Sequence, residues 1–199
     1  VIPNLFSVSE LSALTNLDAA QIKLLFGVQK DSFVPLSALP TIQAIAMGQQ
    51  QGPLAPNQIL TRKEVKKIRK NVKQYNIKLK ALADANGWAF VDVNAILTDI
   101  AKNGLVVTGV GTITTAYLGG LFGLDGVHPS ATGHAVIASA AIDSINAKYG
   151  TTLAKPNVAS IAAADPQVCM AKSAQTATLA DLVKYAPAAR LAESVILNR

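Results

Sequence analysis

Cysteine is almost absent from this chain, and the single Cys169 excludes an intrachain disulfide and a cysteine-based zinc site. It leaves the cellular compartment open. No uninterrupted apolar run approaches the length of a membrane span, so no transmembrane segment is expected. Aromatic residues are scarce at 5%, and acids are outnumbered, with 12 Asp and Glu against 18 Lys and Arg. Charged residues make up only 15% of the chain while half of it is apolar, which excludes a disordered polyelectrolyte and is enough for a sizeable core. At 199 residues the simplest organisation is one domain with a modest appendage.

The net charge of +6 is concentrated. Nine of the 18 basic residues lie between Arg62 and Lys80, where Glu64 is the only acid. Such a stripe can attract nucleic acid, an anionic membrane surface or an acidic substrate. A second pattern runs through it, however. Val65, Ile68, Val72, Tyr75, Leu79 and Leu82 recur at spacings of three and four, all on one helical face. Thr61 and Glu64 form a capping box in front, and Asn86-Gly87 supplies a stop. The spacing predicts a helix of about six turns with its apolar face inward and its lysines in water. Interleaved aromatics and a groove-reading motif are missing, so no nucleic-acid partner is expected.

Trp88-Ala-Phe-Val-Asp92-Val follows, rich in β-formers and suited to an interior strand covered on both faces. Helix, glycine, strand is half of a parallel α/β unit. Asp92 reads as a structural or capping carboxylate, and Asn94 as the cap of a short helix ending at Asn103-Gly104. Seven of the thirteen glycines fall between Gly104 and Gly126. Within that stretch Val106 to Ala116 forms either a small hairpin or an extended loop, lining a pocket or making a plain surface excursion. Ser130 to Tyr149 reads as a helix, apolar almost all round, that packs closely against the sheet and stops at Gly150. Earlier in the chain, helices are expected from Asn16 to Phe26 and from Ser37 to Met47, with Gln49 to Pro56 as a linker. The small-residue segments Val158–Ala164 and Thr176–Ala186 are also candidate helices.

Chemistry concentrates at Asp125-Gly-Val-His128-Pro129-Ser130. A histidine acts as a general base only when something fixes its tautomer and supports the imidazolium that forms. A carboxylate hydrogen-bonded to Nδ1 does both and leaves Nε2 free to take a proton from a nucleophile. Pro129 drives His128 towards an extended backbone, and Ser130 caps the helix that follows. Taken alone, Asp-x-x-His is more often the mark of an ordinary turn. His134, six residues past His128, is not at a recognised metal-ligand spacing, so no metal site is expected.

The longer run Leu124-Asp125-Gly-Val-His128-Pro129-Ser130-Ala-Thr-Gly133-His134 resembles the last signature block of the SGNH hydrolases, or GDSL esterases/lipases. The resemblance extends back through Gly87-Trp-Ala-Phe-Val-Asp92-Val-Asn94 and Ile59-Leu-Thr61-Arg-Lys-Glu64, and covers roughly residues 1–150. It implies a three-layer α/β/α flavodoxin-like fold. It also implies a carboxylic ester hydrolase acting on a small-molecule ester, with His128 as general base and acid and Asp125 as its orienting partner. Residues 1–60 would be an insert or lid-like segment, and residues 151–199 an Ala-rich helical extension.

The departures from that family matter as much. The Gly-Asp-Ser nucleophile block, the oxyanion-hole Gly and the Gly-x-Asn-Asp block are not recognisable here. Lys30-Asp31-Ser32-Phe33 lacks the Gly that permits the tight nucleophile turn, so Ser32 is set aside. Val1-Ile-Pro-Asn reads as the end of a strand. The expectation is the C-terminal portion of a longer hydrolase, associating with an N-terminal portion that carries the Ser. The alternative is a non-catalytic binding or structural protein of the same fold without a nucleophile.

Overall fold

A computed structural model describes residues 5–173 and 178–187, a mixture of helices with two small antiparallel sheets. The strand end read at residues 1–4 and the first two residues of the Thr176–Ala186 segment lie outside the described residues. The chain divides into two units. One is built on residues 5–68 with 124–127 and 178–187, the other on 69–123 and 128–173.

In the first unit, β1 (Leu5–Ser7) pairs antiparallel with β2 (Phe33–Pro35), Phe6 opposite Val34. Ser7 and Glu10 cap α1 (Val8–Thr15) reciprocally: the Glu10 N–H donates to the Ser7 hydroxyl at 3.3 Å, and the Ser7 N–H to the Glu10 carboxylate at 2.7 Å. The expected helix from Asn16 to Phe26 is shorter than that. Asn16 adopts the left-handed conformation that asparagine tolerates and terminates α1. Asp18, with Gln21 three residues on, makes a second capping box that starts α2 (Ala19–Phe26). A 3-10 turn at Leu36–Ala38 then leads into α3 (Leu39–Ala46). Leu11, Ile22, Phe26, Val34, Leu36, Leu39 and Ile42 are fully buried. These apolar side chains supply the unit's main stabilisation through the surface they remove from water.

The helix α4 (Arg62–Asn86) begins in the first unit and ends in the second, opened by the Thr61–Glu64 capping box expected for it. The second unit continues through α5 (Val93–Asn103), the hairpin β3 (Leu105–Val107) and β4 (Gly111–Ile113), then α6 (Ala131–Tyr149), α7 (Val158–Ala164) and α8 (Pro166–Ser173). Its core gathers Ile100, Val107, Ile113, Leu121, Phe122, Ala162 and Val168. The helix α9 (Leu179–Val183) returns to the first unit, where it packs on α3.

Two expectations fail in the second unit. Residues 88–92 are not a strand. The groups a ladder would use are taken by side chains of α6 instead: the Ala89 N–H donates to the Tyr149 hydroxyl at 3.2 Å, and the Ser144 hydroxyl donates to the Phe90 carbonyl at 2.8 Å. Asp92, not Asn94, then caps α5, accepting from the Ala95 N–H at 2.9 Å. The inward face assigned to α4 is also largely uncovered. Val65 is buried, but Tyr75, Leu79 and Leu82 are 64%, 54% and 51% exposed. The lysines stand in water as expected. The reason for both failures is one: a stripe of this kind is buried by a sheet, and the sheets among the described residues have two short strands each. In the same way, Ile137, Ile142 and Ile145 of α6 are only half-buried.

Core and stripe therefore predict opposite responses. Ile113→Ala, in the cluster, is expected to cost about 2–5 kcal/mol. Leu79→Glu, on the stripe, is expected to stay within about 0.5 kcal/mol. Thermal melts of the two variants compare them directly, and a large loss at Leu79 would show that the stripe is covered in solution.

Candidate active site

The loop between Leu121 and Ser130 is closed by its backbone. Phe122 and Pro129 face each other in an antiparallel bridge. On one side of that bridge the Ser130 N–H donates to the Leu121 carbonyl at 3.0 Å; on the other, the Gly123 N–H donates to the His128 carbonyl at 2.8 Å. His128 thus has a fixed backbone and an exposed side chain. Pro129 contributes by holding the preceding residue away from the helical region.

Asp125 sits at the tip of the loop, in the stretch 124–127 that belongs to the first unit, whereas His128 belongs to the second. Its carboxylate accepts the Val127 N–H at 2.9 Å, a turn in which the side chain imitates a backbone carbonyl. Gly126, at φ 65°, takes the left-handed step that such a tight return needs.

Behind His128 the start of α6 is secured at several points. Ser130 is the N-cap, as expected: its hydroxyl oxygen accepts the Gly133 N–H at 3.1 Å, and its proton goes to the Gly120 carbonyl at 2.9 Å. Gly133 is required by close approach, because a Cβ there would collide with the Leu121 carbonyl. His134 lies exposed in the first turn. Among the described residues, no group of three or more His, Cys, Asp or Glu is arranged to hold a metal ion. Ser32 lies in the first unit with only 4% of its surface exposed, a poor position for a nucleophile that must meet substrate.

Sequence reasoning misses one member of this assembly. Asp165, 3% exposed, ends α7 and directly precedes α8. One carboxylate oxygen accepts both the Thr132 N–H at 2.8 Å and the Thr132 hydroxyl at 2.7 Å, and the other accepts the Gln167 N–H at 2.9 Å. Burial pushes the carboxyl up, but the Thr132 hydroxyl, the Thr132 N–H and the Gln167 N–H together outweigh it and hold the group below its ordinary value. The dipeptide Asp165-Pro166 was a readable helix start, with an acidic cap before a proline at the first helical position. Its link to Thr132, 33 residues away, had no local signature.

A depressed carboxyl pKa gives stability that is present above the unfolded value of 3.8 and is lost as pH falls through the folded one. Asp165→Asn is therefore expected to destabilise the chain by about 1–3 kcal/mol at pH 7, the cost of disrupting a buried, charge-assisted pair of bonds. The gap between variant and wild type should narrow in denaturant titrations run below the unfolded value. A gap that widens there would reverse the sign assigned to this carboxylate.

No protein-family model matches the chain, and no curated protein or solved structure matches it either.

Proposed function

We propose that this chain is the His-and-Asp-bearing portion of a carboxylic ester hydrolase of the SGNH type, with a three-layer flavodoxin-like fold once complete. The Ser nucleophile would come from polypeptide outside this chain. The observation that carries the reading is the His128 loop. The imidazole is exposed at the start of a helix, on a backbone held at the Gly123 N–H and at the Leu121 carbonyl. A general base needs this combination, because its ring must be accessible while its position is fixed.

In the proposed reaction His128 takes the proton of the Ser hydroxyl as its oxygen attacks the ester carbonyl. The tetrahedral intermediate collapses, the alcohol leaves with the proton from the imidazolium, and an acyl-enzyme remains. His128 then takes a proton from water, which attacks the acyl carbonyl, and returns it to the departing Ser oxygen. Asp125 would hold the second ring nitrogen and stabilise the imidazolium. No metal or organic cofactor is required by this sequence of steps.

The chain by itself is expected to hydrolyse 4-nitrophenyl acetate no faster than buffer, since two of three triad members are insufficient. Joined to a polypeptide carrying a Gly-Asp-Ser block, it should become active. There His128→Ala should lower kcat by roughly a thousandfold or more, and Asp125→Asn by a similar order. Full activity in either variant would remove the loop from the mechanism. A joined protein with no activity would favour a binding or structural role for the same fold.

A further inference from the structure

We propose that Asp165 is a positioning residue for His128, and that the segment beyond Gly150 serves the site by carrying it. The inference rests on the reading of His128 as the base, but its structural content stands on bonds within one unit. The Asp165 carboxylate grips Thr132 through both the N–H and the hydroxyl. Two residues back, Ser130 is tied by its N–H to Leu121 and by its hydroxyl to Gly120. Two residues further back, the His128 carbonyl receives the Gly123 N–H. Every second residue from His128 to Thr132 is therefore held by a bond to a residue outside α6.

Of these ties, the Asp165 pair is the only one made by an ionised group. Charge-assisted bonds are roughly twice as strong as neutral ones, and this carboxylate lies at the N-termini of α6 and α8 together, where helix dipoles favour negative charge. No salt bridge to Asp165 is formed among the described residues, so its compensation comes from those N–H and hydroxyl donors. Thr132 is fully buried, which leaves its donors no water to fall back on. Loss of the grip frees the first turn of α6, and with it the Ser130 cap from which the His128 backbone is suspended. A displacement of about 1 Å at a catalytic group costs on the order of a hundredfold in rate.

The test reads the loop first and activity second. In the full chain, the ring nitrogens of His128 and His134 are followed by NMR against pH, with amide exchange at Gly123 and Val110. Asp165→Asn and Thr132→Val are compared with Asp143→Asn, which breaks only an exposed pair with Lys155. Both loop variants are expected to shift the His128 ring signals and to speed Gly123 exchange by about tenfold relative to Val110, whose bond to Val107 lies in the hairpin of the same unit. Asp143→Asn should do neither. Should Asp165→Asn fail to fold, Thr132→Val keeps the carboxylate and the Thr132 N–H and carries the same measurement. Folded variants with unmoved His128 and Gly123 signals would overturn the proposal whatever their activity. Moved signals in a chain that stays inactive when joined to a Gly-Asp-Ser block would sustain the positioning role while removing the esterase reading.

Discussion

A single buried carboxylate organises the second unit. Asp165 closes α7, opens α8 and reaches 33 residues back along the chain to hold the first turn of α6. Burying a charge costs several kcal/mol unless donors replace its water. Here the replacement is the Thr132 hydroxyl and two backbone N–H groups from two helix starts, and those N–H groups would themselves be orphaned at a helix N-terminus. Each side solves the other's problem. The apolar cluster around Ile113 and Leu121 packs the same elements together, but apolar contact is non-directional and does not define the register of a helix start. The directional bonds define it.

The opposite situation holds along α4. Its apolar stripe has a clear period and its cap is complete, so the helix forms. Stripe and cap together say nothing about what covers the face. More than half exposed, Tyr75, Leu79 and Leu82 gain little from the hydrophobic effect, and the helix rests on its own backbone bonds, its capping box, the buried Val65 and Ala83 and pairs such as Lys80 with Asp84. The same unit therefore contains a tightly specified region around Asp165 and a loosely specified one along the stripe.

That contrast explains what was legible in the sequence. Features set by a few adjacent residues were readable: the Thr61–Glu64 box, the Ser130 cap, the stop at Gly150 and the helix at Val158–Ala164, while between Val106 and Ala116 a hairpin was one of two open readings and the structure forms one from Leu105 to Ile113. Where adjacent signals competed, local chemistry decided. Asn16 ended a helix instead of starting one, because Asp18 and Gln21 made the better box. Features that need a partner far away were not readable. The β-formers of residues 88–92 name a strand, but a strand exists only beside another, and the bonds it would make went to Ser144 and Tyr149. Thr132 carries no local sign of a distant partner, and only the fold brings Asp165 to it.

For the candidate site the same division has a consequence. Its residue types were visible because Asp125, Gly126, His128, Pro129 and Ser130 are neighbours in the chain, each with a local job. What holds this turn in one place is not local. An exposed imidazole on a free loop samples many positions, and the entropy of holding it would have to be met during the reaction. Here that ordering is done on folding, through Leu121, Gly123 and the Asp165 grip on Thr132. The restraint acts on the backbone of His128 through the Gly123 N–H, while the residue itself stays exposed.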